Sequence, residues 1–171
     1  PTAVLAHTGH ENGTFLAGAG HPIGGLDHVL AMVALGLLAA QKGGASLWAM
    51  PLSFVTAMVL GGALGFAGLP FPAVEPLILA SIVLFGVLVA LAARLPLMAT
   101  LPLIALFGAA HGWAHGAEGP ATGIAAYALG FAAMTAALHL AGIALGRVTS
   151  TLALRGLGAA AALAGVALAL S

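Results

Sequence analysis

The chain of 171 residues is 62% hydrophobic and only 5% charged, and its four Lys and Arg balance four Asp and Glu. A soluble domain carries about a quarter charged residues, so a soluble fold of this length is excluded. A nucleic-acid-binding surface needs a basic face and a disordered chain needs low hydrophobicity, so both are excluded as well. The absence of cysteine rules out disulfides, thiolate metal sites and cysteine nucleophiles. This composition predicts an integral membrane protein.

The beginning of the chain is expected to lie outside the membrane. Val4-Leu5-Ala6 is typical of the end of a signal peptide, so we expect residues 1–6 to be a signal remnant and processing to expose His7. His7 and His10 would then lie in an external segment, residues 1–21, where they would capture metal. A flexible solvated tail is the alternative interpretation.

The remainder, residues 22–171, is predicted to be one compact transmembrane domain. A membrane-crossing helix needs about 20 mostly apolar residues. Apolar runs separated by Gly, Pro and charged residues predict six such helices, at residues 22–40, 47–67, 74–93, 97–117, 121–145 and 152–170. The period-2 alternation of a transmembrane barrel is absent. We therefore expect an all-α bundle of six transmembrane helices.

Charge predicts how this bundle is oriented. The basic residues all fall in or around connections on one side, at Lys42, Arg94, Arg147 and Arg155. Glu11, Glu75 and Glu118 fall on the other side. Because basic residues mark the cytoplasmic side, both termini are predicted to be external.

A first group of polar residues opens the first predicted span. Pro22 suits the first position of a helix, so His21 is predicted to cap that helix and His28 to lie two turns further on nearly the same face. Asp27 would lie about 8 Å below the start of the helix. A carboxylate inside a membrane is costly unless it has a partner, and it indicates a functional site. The alternative is a single Asp–His hydrogen bond that joins two helices.

A second group closes the fourth predicted span. His111, His115 and Glu118 have i, i+4 and i+7 spacing, which predicts that all three share one helix face. Imidazoles and a carboxylate are ligands that suit divalent Ni, Co, Zn or Fe. The same helix carries glycines at four-residue steps, at Gly108, Gly112 and Gly116. Close helix packing through these glycines, with polar residues at a helix end, is the alternative interpretation.

Together the two groups predict one cation site. The first span runs inward and the fourth outward, so both groups would lie in the outer half of the membrane. His139 stands alone in the fifth span, where it could line the inner half of a metal path. A lone histidine inside a membrane more often bonds to a neighbouring backbone, and that is the interpretation favoured here.

These motifs identify a resemblance. His21-Pro22-x-x-Gly25-x-Asp27-His28 in a first span, with His111-Gly112-x-x-His115-Gly116-x-Glu118 in a fourth, resembles the HupE/UreJ family of nickel/cobalt permeases. The resemblance implies a multi-pass protein that takes up Ni²⁺, or Co²⁺ in some members, across the bacterial inner membrane. It also implies the metal-handling residues, which are His21, Asp27, His28, His111, His115 and Glu118.

The sequence thus predicts a permease with periplasmic termini, and not an enzyme. Ni²⁺ or Co²⁺, or Zn²⁺ with the same ligands, would be the transported ion, and no catalytic cofactor is expected. Protonation of histidine predicts weaker uptake as acidity increases. Beyond the bilayer and the ion, no nucleic acid or nucleotide partner is expected, since no Gly-x-x-x-x-Gly-Lys loop is present. Gly61-x-x-x-Gly65 offers a close-packing face within the chain or between subunits of a homo-oligomer.

Two other functions use the same residues. A zinc-dependent hydrolase within the membrane would hold Zn²⁺ with a position open for water, and Glu118 or Asp27 would serve as its base. A haem protein would use two histidines as axial ligands, although carboxylates beside the imidazoles argue against it.

Overall fold

The computed structural model describes residues 13–171, and this part of the chain is all-helical. Its helices are α1 Phe15–Gly24, α2 Leu26–Lys42, α3 Ser46–Phe66, α4 Val74–Ala90, α5 Leu97–Ala117, α6 Ile124–Val148 and α7 Thr151–Ala169. The predicted signal remnant, residues 1–6, and the external histidines His7 and His10 lie outside the described residues. The predicted boundary between residues 21 and 22 falls inside α1.

The first predicted span is broken rather than continuous. Thr14 is the N-cap of α1, and its Oγ1 accepts a hydrogen bond from the Ala17 N–H at 3.1 Å. The helix ends at Gly24, and α2 leaves at an angle of 86° to it. Gly25 between them is extended, with φ −106° and ψ 118°. The prediction of a single helix over residues 22–40 is therefore wrong, because two consecutive glycines favour a break.

The all-α, multi-pass prediction is confirmed, but helix length does not give six spans. Among the described residues, α3, α5, α6 and α7 are long and apolar enough to cross a membrane. The bent pair α1 and α2 would make a fifth span. Helix α4 is apolar but has only 17 residues.

Glycines hold α3 and α5 in close backbone contact. A methyl group at Gly108, Gly112 or Gly116 of α5 would overlap the backbone of α3. A methyl group at Gly61 or Gly65 of α3 would overlap the backbone of α5 in return. The Gly61-x-x-x-Gly65 face is thus used within the chain, and it is not a free surface for a second subunit. Helix α2 packs mainly on α6, α4 on α7, and α1 on α6.

The two ends of the bundle differ in chemistry. At one end, long side chains donate hydrogen bonds to carbonyls at and just after the end of α4. Gln41 Nε2 reaches Val89 O at 3.0 Å, and Arg155 Nε reaches Ala90 O at 2.7 Å. Lys42 Nζ reaches Leu95 O at 2.5 Å. The start of α2 and the end of α5, which carry the predicted site, lie at the opposite end.

Candidate metal centre

Three histidines from two helices meet at the end of the bundle opposite the basic residues. His28, in the first turn of α2, is buried, and its Nε2 lies 3.1 Å from Nδ1 of His111 and 2.5 Å from Nε2 of His115. His111 and His115 occupy successive turns near the end of α5. The prediction that the two polar groups meet is confirmed for these residues. We call His21, His28, His111 and His115 the histidine cluster.

His21 joins the cluster from the end of α1, by a route that the sequence did not predict. Its ring centroid lies 4.6 Å from that of His115, with the planes at 74°. The rings of Tyr127 and Phe131 on α6 lie 5.9 and 6.0 Å from it. The expectation that His21 and His28 share a helix face is wrong, since the bend separates their helices. The 86° bend between α1 and α2 nevertheless places His21 next to His115.

Asp27 contacts His28 rather than a second helix. Its Oδ1 lies 3.2 Å from His28 Nδ1, and both residues are in the first turn of α2. The expected depth of about 8 Å is therefore wrong, because α2 begins at Leu26 rather than near Pro22. The alternative of an Asp–His bond that joins two helices is wrong as well. At this position the carboxylate also interacts favourably with the helix dipole.

Glu118 lies at the end of α5, directly after the turn that carries His115. Helix α5 ends at Ala117, and Glu118 is its exposed C-cap. Within residues 13–171 no hydrogen bond joins its side chain to the histidine cluster. Its backbone N–H still donates to Ala114 O at 3.2 Å, as in a continuing α-helix, and the expectation that its side chain shares a face with His111 and His115 stays a prediction.

Ser81 on α4 is a contributor that sequence reasoning missed. Its hydroxyl is fully buried and donates to Ile78 O at 2.6 Å. Because this bond uses the hydroxyl proton, Ser81 Oγ accepts from Nε2–H of His111, 3.0 Å away. A serine in an apolar helix gives no signal in the sequence that it contacts a histidine 30 positions later.

The contacts of Ser81 and Asp27 favour one tautomer each of His111 and His28. With Nε2–H donated to Ser81, the Nδ1 of neutral His111 carries a lone pair. Asp27 Oδ1 lies 3.2 Å from His28 Nδ1, and this carboxylate favours a proton on Nδ1, which leaves a lone pair on Nε2. With these tautomers the two lone pairs would face each other across 3.1 Å, an arrangement that a shared proton or a metal cation would stabilise. Partners of this kind orient metal-binding histidines in general.

The spacing of these nitrogens is close to that of metal ligands. Tetrahedral ligands with metal–nitrogen bonds of 2.0–2.1 Å lie about 3.3 Å apart. No group of three or more His, Asp or Glu side chains in residues 13–171 is arranged as it stands to hold an ion. His28 and His115 are in direct nitrogen–nitrogen contact, so their rings must separate by roughly 1 Å before both face one ion.

Aromatic rings from two neighbouring helices pack against the histidine cluster. Phe131 on α6 lies 4.5 Å from the ring of His115, and Phe54 on α3 lies 5.4 Å from that of His111. An apolar cavity of about 260 Å³ between α3, α5 and α6 is bounded by His115 and Phe131. His139 lies beyond Phe54, fully buried, and neither of its ring nitrogens has a hydrogen-bond partner among the described residues. The prediction that His139 bonds to the backbone is therefore wrong.

Comparisons with known proteins agree with the motif. A family model described as HupE / UreJ protein matches residues 1–168 of the chain. The chain is 41% identical over 181 residues to Protein HupE of Rhizobium leguminosarum bv. viciae, across 98% of this chain and 91% of that protein. No solved structure matches the chain. Neither match supports a zinc-dependent hydrolase.

Proposed function

Because this chain belongs to the HupE/UreJ family, which is related to nickel and cobalt transport, we propose that it is an inner-membrane permease for divalent transition metals. Ni²⁺ is its main substrate and Co²⁺ a second one. The observation that carries the proposal is the convergence of His111 and His115 on Nε2 of His28. Imidazole nitrogen is a ligand that Ni²⁺ and Co²⁺ prefer to carbonyl oxygen.

The binding site consists of His28, His111 and His115, supported by Asp27. A hydrated divalent ion cannot enter hydrocarbon, so these nitrogens replace part of its water shell. Asp27 supplies a negative charge 3.2 Å from the His28 ring, which favours a cation between the rings. His21 and Glu118 lie further out, where they attract the ion before it loses water. The affinity of this site for the ion stays moderate, because transport requires release of the ion as well as binding.

Helix directions support six spans, formed by α2 to α7. Glycine contacts show that α2 runs parallel to α6, α3 runs parallel to α5, and α4 runs antiparallel to α7. A chain that crosses the membrane at every helix gives this pattern. Helices α2 and α4 have 17 residues each, which meets the lower limit for a span. The histidine end then faces the periplasm, as do both termini, because the basic end marks the cytoplasm.

The sequence contains no nucleotide-binding loop that would couple transport to ATP by the P-loop route. We propose that the membrane potential contributes to uptake, since it acts on both charges of the ion. It contributes about 2.3 kcal/mol per charge for each 100 mV.

Uptake into proteoliposomes tests this function. Liposomes with an entrapped metal-sensitive dye and purified protein are given external Ni²⁺ under an inside-negative potential. We expect the wild type to fill them and His28→Ala to lower the initial rate by about tenfold or more. Met32→Ala is the matched control, since Met32 is fully buried one turn further along α2 and its variant should stay within about threefold.

Two results would contradict the proposal. Liposomes with wild-type protein that stay dark would exclude a permease and leave the hydrolase as the alternative. Equal rates for wild type and His28→Ala would exclude the histidine cluster as the transport site.

A further inference from the structure

His139 is a buried imidazole without a partner. It lies in the middle of α6, is 0% exposed, and neither Nδ1 nor Nε2 forms a hydrogen bond within the described part of the chain. Buried polar groups in proteins are nearly always hydrogen-bonded, and an exception requires an explanation such as a bound ion or water. A leucine would fill the same space without this cost. Both ring nitrogens are therefore free to bind a group that does not belong to the described part of the chain.

His139 continues a buried stripe that begins at the histidine cluster. Tyr127, Phe131, Thr135 and His139 follow one another at four-residue steps on α6, and all four are buried. The first two rings contact His21, and Phe131 also contacts His115. His139 lies about 12 Å further along the helix axis than Phe131. The stripe thus leads from the cluster toward the basic end of the bundle.

The ring of Phe54 contacts both His111 of the cluster and His139. Its centroid lies 5.4 Å from that of His111 and 5.2 Å from that of His139, and it is completely buried. One turn away on α3, Met58 Sδ accepts a hydrogen bond from Thr135 Oγ1 at 3.6 Å. One aromatic side chain therefore contacts both the deepest imidazole of the cluster and His139.

We propose that His139 is a second, inner binding station for the same divalent cation, and that Phe54 closes the passage between it and the cluster. This inference rests on the proposed transport function. When the Phe54 ring turns aside, an ion released by His111 meets the free lone pair of His139. Because both His111 and His139 offer an imidazole, the ion exchanges one nitrogen ligand for another of the same kind. Met58 and Thr135 border this passage and offer a thioether and a hydroxyl.

The variant His139→Leu tests the station, with three measurements on one protein. It removes no hydrogen bond, so we expect a melting temperature in detergent equal to or above that of the wild type. We expect the dissociation constant for Ni²⁺ at the cluster, from equilibrium dialysis, to stay within about twofold. We expect the initial rate of Ni²⁺ uptake into proteoliposomes to fall about tenfold or more.

The other outcomes separate this inference from the proposed function. If His28→Ala stops uptake while His139→Leu transports normally, the function stands and the inner station is overturned. If His139→Leu melts earlier and also loses binding at the cluster, His139 has a packing role and the station is again overturned. If the wild type takes up no metal, the proposed function fails and the station fails with it.

A pair of phenylalanine variants tests whether Phe54 closes the passage between the histidine cluster and His139. Phe54 and Phe85 are both fully buried, but the ring of Phe85 contacts Phe107 rather than a histidine. We expect Phe54→Leu to raise the initial uptake rate about threefold, because the smaller side chain leaves the passage open. Phe85→Leu should stay within about twofold. Equal effects of the two substitutions would overturn the assignment of Phe54.

Discussion

Ser81 controls the chemistry of His111 without offering a ligand of its own. Its hydroxyl proton is directed to Ile78 O, so its oxygen accepts the Nε2 proton of His111. The lone pair of His111 is thereby held on Nδ1, which faces His28. A residue of this kind positions a ligand, and its loss lets the ring adopt the wrong tautomer.

Ser81→Ala should therefore weaken Ni²⁺ binding by about 10- to 100-fold. The measurement is the dissociation constant from equilibrium dialysis of detergent-solubilised protein. Ser53→Ala is the control, because Ser53 Oγ likewise donates to a backbone carbonyl, Leu101 O at 3.3 Å, but has no histidine partner. An unchanged constant for Ser81→Ala would show that the serine does not set the tautomer.

At the scale of elements, the bend between α1 and α2 gives the cluster its shape. It turns His21 toward His115 and places Asp27 and His28 in the first turn of a new helix. At Gly25 a methyl group would lie 2.6 Å from Oδ1 of Asp27 and 3.3 Å from Nδ1 of His28. The neighbouring Gly24 has open space around the same position.

Gly25→Ala should thus displace the Asp27 carboxylate from His28 and weaken Ni²⁺ binding about tenfold, with little change in melting temperature. Gly24→Ala differs by one position and should bind normally. Both constants come from the same dialysis assay. Equal affinities for the two variants would mean that the Asp27–His28 contact has no part in binding.

The glycine contacts between α3 and α5 should matter for stability. At Gly112 a methyl group would overlap the backbone of Met58, so the two helices must move apart. We expect Gly112→Ala to lose about 1–3 kcal/mol in the free energy of unfolding. Gly156→Ala in α7 meets no atom within 4 Å and should be neutral or gain up to about 1 kcal/mol. Thermal unfolding in detergent measures both, and similar melting temperatures would contradict the packing argument.

The sequence could predict the relative positions of site residues only where they lie on one unbroken helix. The i, i+4 relation of His111 and His115 was predicted correctly, since α5 continues without a break through both residues. The relative orientation of the His21 and His28 side chains could not be predicted, because the extended Gly25 separates their two helices. Ser81 and Phe54 act only through residues distant in sequence, and a single chain gives no signal of such contacts.

For the whole molecule, the separation of histidines from basic residues predicts a measurable orientation. The chain has no cysteine, so a single introduced cysteine reports its own side of the membrane. Ala121 and Ala45 are both exposed in connections, at the histidine end and the basic end respectively. We expect a membrane-impermeant maleimide to label Ala121→Cys in intact spheroplasts, and Ala45→Cys only after permeabilisation. The reverse pattern would invert the proposed topology.

Helices α2 and α4 carry His28 and Ser81 of the candidate site, and each has 17 residues, or about 25 Å of rise. The hydrocarbon of a typical bilayer is about 30 Å thick. If α2 and α4 each cross the membrane as proposed, lipid beside them must become thinner, or the polar ends must sink into it, to remove a mismatch of about 5 Å. Under the proposed transport function, the same voltage would then fall over a shorter distance, and the field on a divalent ion would be steepest beside the imidazoles.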